Sequence, residues 1–374
     1  MKNLSLYLVS IFLYSCTGNQ PVTDNRILLL HPDKKTTGEV FHSSFELERI
    51  VPVETTHDFL LANVDRVIFY KSKIIILDTS TTSIFVVDAS TGKVETHIHR
   101  KGRGPGDSMN ICDIAFDERL EQILVFNDYK KLLYFTLDGS FLKEEFINES
   151  FDELTYDNSK VIFYNVGEGY GCFPYSLSIY DLQDHSWEKA GEDQKVDFPV
   201  RSYGCLLVKS KNIWFTPVLD FGLHRLNGSK IEVPYKIDQK PLSDELRGKS
   251  ISDILSFFRE VADHDILHSI NSIRETDHYL IFQTNRSGFL MMNKKEAKLF
   301  REECVKDAYL GLDLIRYFPH DGADNRIMFV VFADQWLERS PQNTENIPEH
   351  LREQIDRVKV DEESNPVLVF YKEK

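Results

Sequence analysis

Gly102-Arg103-Gly104-Pro105-Gly106-Asp107 is the stretch on which the reading of this chain turns. Three glycines and a proline in six residues exclude a helix or strand interior, because glycine loses the most entropy on ordering and proline lacks the N–H that a ladder needs. The stretch is a built loop, and it presents Arg103 and Asp107 on a backbone open to conformations closed to other residues. Two roles suit it, a tight crossing between two sheets or a ligand contact. Gly102, Gly104, Pro105, Gly106 and Asp107 are its structural frame.

Working outward from the loop, short apolar runs alternate with turn residues. Before it lie 65–70, 73–78, 83–88 and 93–99, of which Ile74-Ile75-Ile76-Leu77 and Ile84-Phe85-Val86-Val87 are apolar throughout, so both faces of that sheet need cover. After it the same group of four recurs at 110–117, 122–127, 132–136 and 141–147, again at 151–157, 160–165, 175–181 and 185–190, and again at 200–209, 211–216, 222–226 and 229–236. The turns before each last strand, Thr91-Gly92, Asp138-Gly139, Asp184-His185 and Asn227-Gly228, recur at about 45 residues, the period of a four-stranded propeller blade.

The next such turn, Lys294-Lys295, comes one helix late. Residues 241–264 hold the excess: Ser250 with Asp253 offers a capping box, and Ile251, Ile254, Leu255, Phe258 and Val261 fall on one helical face. A fifth blade follows at 268–275, 278–283, 287–293 and 296–302. A sixth takes 307–317 and 326–333, then a second insertion with a helix opened by Asn346 and Pro348 and carrying Leu351, Ile355 and Val358, and a last strand at 366–372. That blade is one strand short, and Phe45 to Val53 is a strand without a blade. Pairing the two closes the ring and removes its edges. The expected fold class is all-β, a six-bladed β-propeller of four-stranded antiparallel blades over residues 39–374, with two helical insertions on one face.

Pro52-Val53-Glu54-Thr55-Thr56, the glycine loop and the closing Asn365-Pro366-Val367-Leu368 resemble the Bacteroidota family of exported six-bladed β-propeller proteins, relatives of NHL-repeat propellers. Asp107 stands where members more often carry glutamate. The resemblance implies the fold and export, and it implies no reaction and no catalytic residues.

The N-terminus reads as an export signal over residues 1–15: Lys2, an apolar run from Leu4 to Tyr14, then Ser15-Cys16. The run is too short to span a bilayer. Leu13-Tyr14-Ser15-Cys16 resembles a lipobox, with Tyr14 in place of the usual small residue, so Cys16 is the expected lipidation site and residues 16–38 a tether. The expected place is the outer membrane, held through the lipid alone. The absence of acidic residues just after Cys16 favours the periplasmic side. With 44 Lys+Arg against 59 Asp+Glu the net charge is −15, which excludes nucleic acid as a partner. Cys112, Cys172, Cys205 and Cys304 show no paired spacing and are read as free thiols.

Enzyme signals are weak. His264-Asp265-x-x-His268 has metal-like spacing but sits where a helix hands over to a strand, and His97 with His99 forms a surface pair lacking a third ligand. No metal or cofactor is expected. The glycine-rich Asn165-to-Gly171 stretch precedes no helix and reads as a long loop. Topology says more. Links between strands two and three of a blade, and from strand four to the next blade, leave on one face, and the glycine loop, 166–174, 241–264 and 334–363 are all such links. They crown one end of the ring. Arg103, Tyr129, Tyr170, Asp220, Arg286 and Trp336 are the candidate contacts there for an extracytoplasmic ligand, a peptide, glycan or envelope protein, bound without catalysis. A second reading is a lyase or lactonase sited in the channel, for which His268, Asp113 and Asp313 are the inner-strand candidates. A third is a structural component of an envelope complex.

Overall fold

Strands that are apolar on both sides must be sandwiched between neighbouring sheets, and the chain achieves this by arranging six sheets around an axis. The computed structural model describes residues 27–31, 34–128, 130–165, 176–192, 204–217, 220–238, 259, 261, 263, 267–286, 288–341 and 347–374. Two short strands, β1 (Leu28–Leu30) and β2 (Lys34–Thr36), are followed by helix α1 (Glu39–Ser44) and strand β3 (Phe45–Pro52). Blade one is β4 (Arg66–Tyr70), β5 (Lys73–Asp78), β6 (Ser83–Asp88) and β7 (Val94–Ile98), and blade two is β8 (Ile111–Asp117), β9 (Gln122–Asn127), β10 (Lys131–Thr136) and β11 (Phe141–Phe146). Blade three is β12 (Glu153–Asp157), β13 (Lys160–Tyr164), β14 (Leu177–Asp181) and β15 (Trp187–Ala190), and blade four is β16 (Leu207–Lys209), β17 (Ile213–Phe215), β18 (Gly222–Asn227) and β19 (Lys230–Ile237). Blade five is β20 (Ile270–Glu275), β21 (Tyr279–Thr284), β22 (Phe289–Asn293) and β23 (Lys298–Glu302). Blade six is β24 (Pro319–Asp321), β25 (Arg326–Val331) and β26 (Val367–Glu373), completed by β3 on its outside.

The first strands of successive blades touch one another all the way round, from β4 through β8, β12, β16, β20 and β24 back to β4. Alternate residues of each strand then face opposite neighbours. Ile74 and Ile76 of β5 pack with Met328 and Leu368 of blade six, whereas Ile75 and Leu77 pack with Ile114 and Ile123 of blade two. This is why those runs are apolar throughout. In blades one to four the hairpin before the fourth strand carries its left-handed residue where the sequence places it, Gly92, Gly139, His185 and Gly228 all having φ between 60° and 83°, whereas in blade five that residue is Ala297, at φ 51°, just past Lys294-Lys295.

Closure follows the expected pairing. β3 lies antiparallel to β26 from Val367 opposite Pro52 to Glu373 opposite Phe45. Helix α2 (Ala333–Leu337) and helix α3 (Glu349–Arg357) belong to the insertion between β25 and β26. Gln354 of α3 accepts the Ile50 N–H at 2.7 Å and so caps part of the free edge of β3. Most of the 241–264 insertion lies outside the described residues; Val261 is buried between blades three and four.

Two expectations need correction. Residues 307–317 are not a strand: they form a turn and a short 3-10 helix at Leu314–Arg316, and the inner strand of blade six begins at Pro319. Asp307 accepts the N–H groups of Tyr309 and Leu310, and Asp313 accepts that of Val305, so side chains replace a ladder there. The segment read as a tether also contributes structure, since β1 adds parallel to β19 and β2 parallel to β23, with Leu30 fully buried. Glu302 accepts the N–H groups of Gly38 and Phe41 at 2.7 and 2.9 Å, which fixes the start of α1 against blade five.

Candidate functional site

A propeller axis is where the first strands converge, and here five of them bring a charged or titratable side chain to it. Arg66 opens β4, Asp113 lies in β8, Glu153 opens β12, Arg274 lies in β20 and His320 in β24. All but Glu153 are buried below a tenth exposure. A β-bulge precedes Asp113 and another precedes Arg274, and each shifts the register by one residue so that the following side chain is re-aimed. In β20 the bulge holds Ser272 at φ 53°, a left-handed conformation unusual for serine.

Half of this ring is closely knit. Arg66 donates from Nε to Asp113 at 2.8 Å and from Nη1 to the Leu207 carbonyl at 2.8 Å, and its Nη2 meets both Asp113 and, at 3.3 Å, Glu153. Asp113 also accepts the Leu154 N–H at 2.9 Å, and Glu153 accepts those of Leu206 and Leu207 at 3.0 and 2.8 Å. Blades one to four are pinned through one guanidinium. Burial opposes the charge on Arg66, but the adjacent Asp113 overrides it and holds the group protonated. Burial pushes Glu153 up to about 7 against the pull of Arg66.

The other half is open. Arg274 donates from Nη1 to the Ile273 carbonyl at 2.8 Å, while its Nε has no partner. His320 has an unpartnered Nδ1, and burial beside Arg274 and Arg66 pushes its pKa down to about 3, so the ring is neutral. A cavity of about 480 Å³ opens above them at the end where the chain enters β4, β16 and β24, the end the sequence reading expects to be crowned, and it is walled by Cys205, Ser272, Arg316, Phe318 and Phe332 among others. A second cavity, of about 250 Å³, opens on the opposite face past Lys209, Ser210, Asp321 and Asn325. Arg274 borders both and so sits at the constriction between them.

The sequence-derived contacts fall differently. Tyr129 and Tyr170 lie outside the described residues, as do Cys16, Cys172 and most of the Asn165-to-Gly171 loop. Arg103 is exposed and makes no hydrogen bond or ion pair among the described residues. The tie within its loop is made by Arg100, which donates to Asp107 and to the Pro105 carbonyl, both at 3.3 Å, while Asp107 accepts the Gly104 N–H at 3.1 Å. Asp220 stands 3.5 Å from His224 and accepts the Gly222 N–H at 2.6 Å; burial works against its charge, but His224 carries its pKa below the usual range. Arg286 borders a small crevice between blades four and five. Trp336 is buried in the core between blades five and six under the Arg339 guanidinium, 4.3 Å from its ring, and its neighbours Phe332 and Gln335 reach the crowned cavity instead.

Of the channel candidates, Asp113 is on the axis with both oxygens committed to Arg66 and to backbone N–H groups. Asp313 is off the inner strand as noted. His268 precedes β20, buried, with its pKa pushed down to about 4 by burial, and it borders neither channel cavity. His97 and His99 share the Ser83 hydroxyl, and His97 stacks on Phe85 at 4.4 Å. Among the described residues no three His, Cys, Asp or Glu side chains are grouped to hold a metal ion. Cys112, Cys205 and Cys304 form no disulfide with one another. Arg66, Glu153, Arg274, Arg316 and His320 were not singled out from the sequence.

Six radial blades around a charge-filled axis, with a cavity at each end, define a six-bladed β-propeller whose central channel is interrupted at mid-depth. The chain belongs to the family described as domain of unknown function DUF4934, whose model matches residues 34–372. Among solved structures it is similar to a Bacteroides fragilis protein described as exported, with 16% identity, a TM-score of 0.67 and coverage of 93% of this chain and 100% of that one. It is also similar to a member of the DUF4221 family from Bacteroides vulgatus, with 11% identity, a TM-score of 0.56 and coverage of 88% and 98%. At these identities the likeness is one of fold. No curated protein matches the chain.

Proposed function

We propose that this chain is an exported, lipid-anchored propeller that binds an extracytoplasmic ligand in the cavity at its crowned mouth and carries out no reaction there. The observation that supports it most is the cavity of about 480 Å³, which is bordered by links from several blades and floored by polar groups without partners. Links carried on a rigid ring are a scaffold suited to recognition. Export and anchoring rest on the signal-like N-terminus with Cys16, and the description of the Bacteroides fragilis relative as exported agrees with them. The periplasmic face of the outer membrane is the place this reading gives it.

The test is native mass spectrometry of the purified chain against a panel of muropeptides, neutral oligosaccharides and short peptides, repeated on Asn63→Trp. Asn63 is an exposed residue of the cavity rim, and an indole there narrows the entrance. Binding by a panel member that the substitution abolishes is the expected result. Binding that Asn63→Trp leaves untouched would put the site elsewhere, and a panel without a binder would count against the reading.

A further inference from the structure

We propose that the crowned mouth is a receptor for one carboxylate carried on an apolar body, with Arg274 as its floor and Arg316 at its rim. This rests on the crowned end being the binding face. It names the class of ligand.

Arg274 is 4% exposed, yet it is without a carboxylate partner among the described residues, and its Nε has no hydrogen bond. Buried guanidinium groups in native proteins are paired, because desolvating the charge is costly. Arg66, at the same depth, shows what pairing looks like here, with every nitrogen bonded and carboxylates from two blades. The unpaired group is also held by a bulge with Ser272 at φ 53°, a conformation that is kept where position matters more than local comfort. A built site waiting for an anion accounts for all three features.

The charge of that anion follows from the walls. Arg316 borders the same cavity, exposed, and its side chain makes no hydrogen bond or ion pair among the described residues. The one acidic residue on the wall, Asp65, is engaged by the Thr79 N–H and hydroxyl and by Asn63. Two arginines against one aspartate, with His320 neutral, leave a single positive charge, which matches a monoanion better than a phosphate dianion. A planar guanidinium suits a carboxylate by its fork of parallel donors. Tyr317, Phe318, Val330 and Phe332 supply an apolar wall, with Phe318 left 42% exposed, and this calls for an apolar body behind the charged end.

The probes are 3-phenylpropionate, its uncharged amide and inorganic phosphate, titrated calorimetrically into the full chain and into Arg274→Gln and Arg316→Gln. The acid should bind, the amide should bind about tenfold or more weakly, and phosphate should not compete. Arg274→Gln should weaken the acid about tenfold or more while its unliganded melting temperature stays level or rises, because an unpaired buried charge has gone. Arg316→Gln, at an exposed side chain without a hydrogen bond or ion pair among the described residues, should weaken the acid less and reduce the salt dependence of its binding. Equal binding of acid and amide overturns the proposal, as does failure of the acid to bind. An Arg274→Gln variant that melts lower yet binds the acid unchanged would make the arginine a structural pin. Arg274-dependent binding of phosphate alone would overturn the carboxylate class. If these fail while a neutral panel ligand still binds in an Asn63→Trp-sensitive way, only the charge inference falls.

Discussion

Arg66 and Arg274 stand on the same axis with opposite surroundings, and their substitutions should differ in sign. Arg66→Met leaves Asp113 and Glu153 buried without their counter-charge, a loss of about 3–5 kcal/mol when one partner of a buried pair is removed. Urea unfolding reads it directly, and a variant as stable as the parent would mean the network contributes nothing. The neighbouring histidines set a pH dependence. His320 and His268 have folded pKa values of about 3 and about 4, below the ordinary value near 6.5, so the unfolded chain binds protons that the folded chain refuses. Their contribution is intact above pH 6.5 and is lost as the pH falls toward 4, at roughly 1.4 kcal/mol per pH unit for each group. Glu153 works the other way. Its folded value of about 7 exceeds the usual 4.5, so between those limits the folded chain binds the extra proton and gains stability as the pH falls. The balance from pH 6.5 to 4.5 is a net loss of about one proton's worth, and His320→Asn should cancel most of it. Equal losses in parent and variant between pH 7.5 and 5 would overturn that assignment.

Hairpin turns, by contrast, act through backbone. Gly92 and Gly228 occupy equivalent turns with φ of 73° and 62°, but a Cβ on Gly92 would lie 1.9 Å from the Pro52 carbonyl oxygen, whereas one on Gly228 meets nothing within 4 Å. Gly228→Ala should therefore cost only the left-handed penalty of about 1–2 kcal/mol. Gly92→Ala must also part β3 from blade one, where Glu54 N–H donates to the Gly92 carbonyl, and should cost clearly more. Equal melting temperatures for the two variants would show that the contact yields freely. These turns were legible in the sequence because left-handed backbone selects glycine and small polar residues, and the two-faced strands because both neighbours must be apolar. The region 307–317 was not, since Leu310, Leu312 and Leu314 alternate as a strand would while carboxylates, unseen as such, satisfy the backbone. Of the axial charges Asp113 was legible as an inner-strand carboxylate, whereas Arg66, Glu153, Arg274 and His320 were not. In a half-buried strand a charged residue reads as facing solvent, and the bulge before Arg274 moves it by one position onto the axis, a shift that no alternation pattern records.

At the scale of the whole molecule, the ring is shut by chain segments some three hundred residues apart, so closure has to wait for every blade between them. β3 supplies Phe45, Leu47 and Ile50 to the core between blades five and six and Val51 to the core between six and one, which Val53 just beyond the strand also joins. Arg326 of β25 also reaches Glu48 with a two-pronged contact at 2.6 and 2.9 Å. Removing residues 1–53 thus strips two cores and bares the edge of β26, whose residues are buried almost throughout, and an apolar edge of that kind pairs with other chains. The segment before it has a lighter task. β1 and β2 extend the outer edges of blades four and five without entering the ring, so a chain lacking residues 1–38 keeps its closure and loses mainly the cover that Leu30 and Thr36 provide. The expected order is therefore a soluble, cooperatively melting protein of reduced melting temperature for the shorter truncation, and aggregation or a broad, non-cooperative transition for the longer one. Calorimetry and gel filtration of both decide it. A 54–374 chain that stays monomeric and melts as sharply as the intact protein would mean that β3 is an ornament on a ring already closed by the contact of β24 with β4.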